Sequence, residues 1–385
     1  MKRPPPKRIA VATGTRAEYG LLLPLLRLLD EADDMELSLV VTGAHLARDL
    51  GHTVDQIVAD GFTIAARVDM LLSADSNVAV TKSLGLGTVG FADVLDRLAP
   101  DLLVMLGDRY EMLAVAQAAL IARIPVAHLC GGDVTEGAFD ESIRHAISKM
   151  AHLHFPTNEA ARRRLLQMGE DPKRVFNVGF TGLDHLRGEL LGREALAASL
   201  GRPLETRNLL VTYHPETLGR RPAKEDFAEL LAALDPFDGG IFFTYPNADT
   251  HGRSLIPALE AFVAAHPLAS AHRSLGQQRY LSLLRAVDAV VGNSSSGLYE
   301  APSLGTPTVN VGERQKGRLA AASVTTVPCR QEDISAALER ALAFDMADVE
   351  NPYGGPGASA AILTALRAAP PGPDLMRKPF FEASP

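Results

Sequence analysis

The chain has 385 residues, 46% hydrophobic and 22% charged, with a mean hydropathy of +0.05, which excludes a disordered, fibrous or repeat protein. Such a length predicts two domains of about 150 to 200 residues each. A net charge of −8, with no basic run longer than Arg162-Arg163-Arg164, excludes nucleic acid as a partner, and the two cysteines, Cys130 and Cys329, are too far apart for a metal motif or a disulfide framework.

The opening Met-Lys-Arg-Pro-Pro-Pro-Lys-Arg has no apolar signal region, and Leu21 to Leu29 is cut by Pro24 and Arg27, so neither secretion nor a membrane span is expected. A cytoplasmic location follows from the same features. Apolar runs then alternate with helix-length segments: Ile9 to Thr13, Leu37 to Thr42, Leu102 to Leu106, Val126 to Leu129 and Val175 to Val178 read as strands of a first parallel sheet. The charged, Ala-rich helical stretch Leu186 to Arg207, closed by Gly201 and Pro203, is where the linker is placed. The pattern restarts at Asn208 to His214 and continues through Ile241 to Tyr245, Val287 to Val291, Thr308 to Val311 and Thr325 to Val327. The fold class is therefore α/β with two doubly wound, Rossmann-like domains, whose ligand is expected beyond the carboxyl ends of the strands, in a central cleft between the two sheets.

The motifs follow those strands. Thr13-Gly14-Thr15-Arg16 opens a helix, where backbone N–H groups together with Arg16 suit a phosphate, or equally Gly14 serves a tight βα turn and Arg16 pairs with a surface acid; no GxGxxG or Walker A pattern is present, so no NAD or ATP is expected. Asp108 ends the run Leu106-Gly107-Asp108, where a plainer role is capping the next helix. After His128 comes Cys130-Gly-Gly-Asp133-Val-Thr-Glu136-Gly-Ala-Phe-Asp140-Glu141-Ser-Ile-Arg144-His145, in which four acids stand among glycines that would let a substrate approach the backbone. Asp140 is expected to open a helix running to Met150, with Asp140–Arg144 and Glu141–His145 as i,i+4 pairs. In the second half, His214 follows a strand directly and suits acid–base work, or is an ordinary loop histidine. Asn293-Ser294-Ser295-Ser296-Gly297 would cradle phosphates, with Glu300 placed to hold a ribose diol, although one serine there could be only a helix cap. A nucleotide diphosphate held by the second half would leave its sugar among the acids of the first. A nucleotide-sugar enzyme is the expectation.

Four motifs, Gly-Thr-Arg-Ala-Glu-Tyr-Gly from Gly14, Gly-Asp-Arg-Tyr-Glu from Gly107, Gly-Gly-Asp-Val-Thr-Glu-Gly from Gly131 and Asn-Ser-Ser-Ser-Gly from Asn293, together resemble the UDP-N-acetylglucosamine 2-epimerases, especially their hydrolysing branch in sialic acid and nonulosonate biosynthesis. The resemblance runs through nearly the whole chain. It implies the GT-B arrangement: residues 1–190 as the sugar-side domain, rejoined by a C-terminal helix within 357–385 around Ala358 to Ala368, and 200–356 as the nucleotide-side domain. It also implies chemistry without a cofactor or metal, a homodimer, elimination of UDP to a 2-acetamidoglucal, and hydration to a free C2-inverted sugar of the N-acetylmannosamine type.

By the same resemblance Asp108, Asp133, Glu141 and His214 are the catalytic candidates. Arg16, Glu136, Asp140, Ser295, Ser296 and Glu300 are the binding candidates, with Arg16 on the β-phosphate. Non-hydrolysing members carry a glutamate in the column of Cys130; Asp133, Glu136 and Asp140 are the acids that could replace it, Asp133 being the choice made. The substrate expected is UDP-N-acetylglucosamine or UDP-N,N′-diacetylbacillosamine, with a GDP-linked sugar also open. The alternatives are the non-hydrolysing epimerase, a GT-B glycosyltransferase, for which the acid-rich loop is a poor fit, and a nucleotide-sugar sensor.

Overall fold

Ile9 and Val11 face one side of the first sheet and Ala10 and Ala12 the other, and all four are buried, as strands covered by helices on both faces require. The computed structural model describes residues 5–48, 51–72, 76–136, 139–216, 221–246, 252–273, 275–370 and 372–382. The chain divides into two compact units: Met1–Val134, Phe139–Asp184 and Pro356–Pro385 form one, and Thr135–Ala138 and His185–Gly355 form the other.

The first unit runs β1 (Lys7–Thr13), α1 (Arg16–Asp30), β2 (Met35–Thr42), α2 (Val54–Ala59), β3 (Ile64–Val68), α3 (Asn77–Leu98), β4 (Leu102–Leu106), α4 (Tyr110–Ile121), β5 (Val126–Leu129), α5 (Asp140–Met150), β6 (Leu153–Phe155) and α6 (Glu159–Gln167). Its six parallel strands lie in the order β3-β2-β1-β4-β5-β6. The order reverses between β1 and β4, which is the topological switch point of a Rossmann sheet. The second unit runs α7 (Arg193–Leu200), β7 (Asn208–Thr212), α8 (Ala223–Leu234), β8 (Gly240–Thr244), α9 (Ile256–Ala265), β9 (Ala269–His272), α10 (Gly276–Ala286), β10 (Ala289–Gly292), α11 (Ser296–Tyr299), β11 (Thr308–Val311), β12 (Val324–Val327) and α12 (Gln331–Leu342). Its order, β12-β11-β10-β7-β8-β9, repeats the topology with the switch between β7 and β10. Two Rossmann-like units with parallel sheets are the expected GT-B fold class.

The chain then returns to the first unit as α13 (Ala358–Ala368) and α14 (Gly372–Met376). Ile362, Leu363 and Leu366 of α13 join the core formed by Leu22, Leu25, Leu26 and Leu29 of α1. Asp184 ties this return down, accepting the N–H groups of Gly357 and, at 2.7 Å, Ser359.

Two readings of the sequence are corrected. Val175 to Val178 is no strand: Val175 makes only an isolated bridge to His154 beyond β6. Within Leu186 to Arg207 the expected helix is α7, closed by Gly201, and it buries Leu196 in a core shared with Leu204, Leu210 and Leu284. One helix, α3, is long and apolar enough to span a membrane by length and composition, contrary to the reading of short apolar runs. That helix packs along α4 and buries Phe91, Val94 and Leu95 in the first unit's core.

Candidate active site

The first unit gathers its acids around Arg144. α5 begins at Asp140, as expected, and its amphipathic pattern turns Arg144, Ile147 and Ser148 inward. Arg144 is 3% exposed and donates to the Asp108 carboxylate, to Glu141 Oε2 at 2.9 Å and to the Asp133 backbone carbonyl at 2.9 Å. A guanidinium presents donors in a planar fork, so one buried side chain can join its own helix, through Glu141, to the loops that carry Asp108 and Asp133. Glu141 also lies 3.0 Å from His145 Nε2, the expected i,i+4 contact.

Asp108 does not cap α4; the capping position belongs to Arg109, which makes no side-chain cap bond. Asp108 stands just beyond β4 after Gly107, whose φ of +90° suits glycine. His128 fixes this turn: its Nε2 is 2.7 Å from the Gly107 carbonyl and its Nδ1 is 3.2 Å from Ser148 Oγ. Burial pushes His128 down to about 3, so the ring is neutral and Nε2 carries the donated proton.

Asp140 stands beside this assembly. Burial, reinforced by the charges of Asp108 and Glu111 and opposed by Arg109 and Arg144, raises it to about 6. A carboxyl that exchanges its proton near neutrality fits a general acid or base. Asp133 is held differently: its Oδ1 accepts from Asn158 Nδ2 at 2.8 Å and its Oδ2 from Thr157 Oγ1 at 3.0 Å. It thereby fastens the β5–α5 loop to the start of α6. Glu136 is exposed in the same loop, and Gly137 and Ala138 lie outside the described residues. The glycines have an internal reason: a Cβ at Gly131 would sit 2.8 Å from His128 Nδ1 and 2.9 Å from Ser148 Oγ.

The turn after β1 is already partnered. Glu18 Oε2 accepts the N–H groups of Gly14 at 2.8 Å and Thr15 at 3.2 Å, while Thr15 Oγ1 accepts from the Glu18 N–H at 3.3 Å. This capping box, announced by Thr15-Arg-Ala-Glu18, was missed in favour of phosphate binding. Burial lifts Glu18 to about 7, with Arg109 opposing and Glu111 and Asp108 adding to the rise. Arg109 in turn grips the buried Glu111 with Nε at 3.2 Å and Nη2 at 3.1 Å. Arg16, the first residue of α1, is exposed.

In the second unit, His214 lies just past β7 and Asn293 just past β10, at the switch point. The His214 N–H donates to Asn293 Oδ1 at 2.7 Å and Asn293 Nδ2 donates to the His214 carbonyl at 2.8 Å. Burial, with the charge of Arg314, pushes His214 down to about 3. Arg314 and Gln315 donate to the Asn293 carbonyl at 3.0 and 2.7 Å. Ser295 occupies the capping position of α11 without a side-chain cap bond, so its hydroxyl is not spent on the plainer role. Glu300 is raised to about 7 by burial, against the effect of Ser296. Tyr280 from α10 shares this corner, interacting with Glu300, Ser296, Ser294 and Thr212. Neither Tyr280 nor Arg314 was named from the sequence; each lies outside a recognisable motif. Among the described residues no group of three or more His, Cys, Asp or Glu is arranged to hold a metal.

Residues 27–367 match the family model described as UDP-N-acetylglucosamine 2-epimerase. The chain is 40% identical over 316 residues to the hydrolysing GDP/UDP-N,N′-diacetylbacillosamine 2-epimerase of Campylobacter jejuni, covering 81% of this chain and 82% of that one. It is 34% identical over 373 residues to the hydrolysing UDP-N,N′-diacetylbacillosamine 2-epimerase of Legionella pneumophila, covering 97% and 98%. Among solved structures, the UDP-GlcNAc 2-epimerase of Methanocaldococcus jannaschii in complex with UDP-GlcNAc and UDP superposes with a TM-score of 0.79 at 18% identity, covering 94% of this chain and all of that one, which speaks for the fold.

Proposed function

We propose the reaction from one premise, that the chain belongs to the UDP-N-acetylglucosamine 2-epimerase family: it is a hydrolysing 2-epimerase. It takes a UDP-linked 2-acetamido sugar and water to UDP and the free sugar inverted at C2. The Campylobacter and Legionella relatives favour N,N′-diacetylbacillosamine as the sugar, and the Campylobacter relative's name admits GDP as the nucleotide.

The observation that carries the reading is Asp140, raised to about 6, beside the Asp108–Arg144–Glu141 assembly. The C2 hydrogen is poorly acidic, so its removal must accompany departure of UDP, when positive charge develops at C1. Carboxylates around the sugar stabilise that charge electrostatically. Asp140 takes the C2 proton as the C1–O bond breaks and the electron pair leaves with UDP. Glu141 or Asp108, acting as the acid, then protonates C2 of the resulting 2-acetamidoglucal on the opposite face; water adds at C1 and gives up a proton to the carboxylate that has just donated, while Asp140 releases the original C2 proton to solvent. Asp133 and Glu136 shape the loop from which these acids work.

On the nucleotide side, His214, kept neutral because burial pushes its pKa down to about 3, donates a hydrogen bond to the leaving diphosphate without gaining charge itself. Ser295, Ser296 and Arg16 bind phosphate oxygens and Glu300 binds the ribose hydroxyls. The enzyme works in the cytoplasm as a homodimer. A non-hydrolysing course is disfavoured by Cys130, which stands where those members have a glutamate.

Incubation with the UDP-linked sugars in deuterated water, followed by proton NMR, tests the reading. Free UDP with C2-deuterated, C2-inverted free sugar is expected. Deuterium in a sugar still linked to UDP would replace this reading with the non-hydrolysing one, and no exchange with any UDP- or GDP-linked 2-acetamido sugar would end it.

A further inference from the structure

The last residues of the chain reach the opposite end of the helix that carries the acids. Lys378 Nζ donates to the carbonyls of Lys149 at 2.8 Å and Ala151 at 2.7 Å and reaches that of Ser148 at 3.3 Å. It also lies 2.7 Å from Oε2 of Glu170, which is 1% exposed. The Glu170 Oε1 atom accepts from Lys149 at 2.7 Å, and His154 Nε2 is 2.8 Å from Oε2. The Lys149 carbonyl belongs to the last turn of α5 and that of Ala151 to its capping residue, while the Ser148 carbonyl also receives the Ala151 N–H at 3.3 Å, and a cation at this end is favoured by the helix dipole.

The tail around Lys378 is fastened on both sides. Arg174 donates to the carbonyls of Leu375 at 2.9 Å and Arg377 at 2.8 Å, and the Phe381 N–H donates to the Gly169 carbonyl at 2.9 Å. The Lys149 ammonium sits 5.1 Å from the centre of the Phe380 ring. By contrast, the acid-bearing end of α5 has no side-chain cap, since Phe139 holds the capping position. The helix is thus held at its end by Lys378 and nearer its start by Arg144, through Asp108 and the Asp133 carbonyl.

Two paths lead from the lysine to those acids. One is the helix itself, from Ser148 and Lys149 back to Arg144, Glu141 and Asp140. The other is Ser148, whose carbonyl meets Lys378 while its hydroxyl meets His128, which holds Gly107 next to Asp108.

We propose that Lys378 is a positioning residue for the acid cluster, setting the register of α5 through the oxygen cage at its C-terminal end. The activity readout rests on the hydrolysing reading above; the structural readout does not. Lys7 supplies the control, because its Nζ donates to the carbonyls of Leu366 at 2.9 Å and Ala369 at 2.8 Å, the same chemistry at the end of α13, which carries no acids.

The test compares full-length Lys378→Met and Lys7→Met by steady-state kinetics and by hydrogen exchange of the α5 amides. Lys378→Met is expected to lower kcat by about tenfold or more with little change in KM, the cost of a slight misplacement of reacting groups, and to speed exchange along α5. Lys7→Met should leave both as in the wild type. Lys378→Ala should recover turnover with added methylammonium, which refills the cage, whereas Lys378→Arg, too large and planar for it, should not. Equal kcat for the two methionine variants, or unchanged α5 exchange in Lys378→Met, overturns the proposal. Should the wild type turn over no nucleotide sugar, the hydrolysing reading fails and the exchange comparison alone decides this one.

Discussion

His214 and Asn293 hold each other by two hydrogen bonds, each donating to the other across the switch point of the second sheet, at 2.7 and 2.8 Å. Asn293 is fully buried, so its amide has no water to turn to. Asn293→Ala is expected to cost about 1 to 3 kcal/mol of stability, the penalty of leaving buried polar groups unmet. It should also lower kcat/KM, because the histidine loses its fixed position. Urea unfolding and kinetics on the same sample check both; a stable variant with reduced activity would still place His214 in the reaction, and wild-type kinetics would remove it.

Asp140 makes a prediction in which activity and stability move in opposite directions. Its pKa is raised in the folded protein to about 6, so the folded state holds the proton more tightly than the unfolded one. The contribution to stability is present below the unfolded value and is lost as pH rises through about 6. Asp140→Asn should therefore gain stability relative to the wild type at pH 8 and lose most of that advantage at pH 4. The same variant should lose about 10²- to 10⁴-fold in kcat, as expected for removal of a general base. Thermal unfolding at the two pH values and initial rates give the readings.

Arg144 is the buried cation that the acids share. Arg144→Gln should destabilise the protein by about 3 to 5 kcal/mol, the usual cost of removing one partner of a buried pair. Where the variant folds, the loss of a nearby positive charge should move the Asp140 titration upward, seen as an upward shift of the acid limb in the pH dependence of kcat/KM. Arg144→Lys should restore the charge but not the three-way grip, so its pH profile should return while kcat stays low.

Gly131 tests the packing behind the loop. A methyl group there would press on His128 Nδ1 and Ser148 Oγ. Gly131→Ala is expected to cost about 1 to 3 kcal/mol, as overpacking usually does. It should also reduce activity by loosening the Gly107 turn that precedes Asp108, and chemical denaturation with kinetics would show both effects.

The central strands were plain from sequence because runs such as Leu102–Leu106 and Val126–Leu129 are apolar throughout, as strands buried on both faces must be. The strands that escaped notice, β3, β6 and β9, all lie at sheet edges. Leu153–Phe155 is three residues long and Ala269–His272 has no β-branched residue, so neither carries the usual signal. Val175 to Val178 carried the signal but lies beyond the edge, with only a bridge to pair with. In the site, the acids were visible because they follow strands, whereas Arg144 as their common partner depends on how α5 turns against α4 and β5. Glu18 was readable from its capping box and was overlooked because the same turn also suited a phosphate.

The first unit is assembled from stretches at both ends of the chain, with nearly all of the second unit inserted between them. The residues that hold the end of α5 and complete the α1 core therefore follow the whole of the inserted unit in the sequence. The inserted unit can fold while its host is still unfinished, since domains generally fold as units from the N-terminal side. The acids of α5 thus precede the inserted unit and the lysine proposed to set their helix follows it, 229 positions beyond Lys149, so the two halves of one contact are synthesised with a whole folding unit between them.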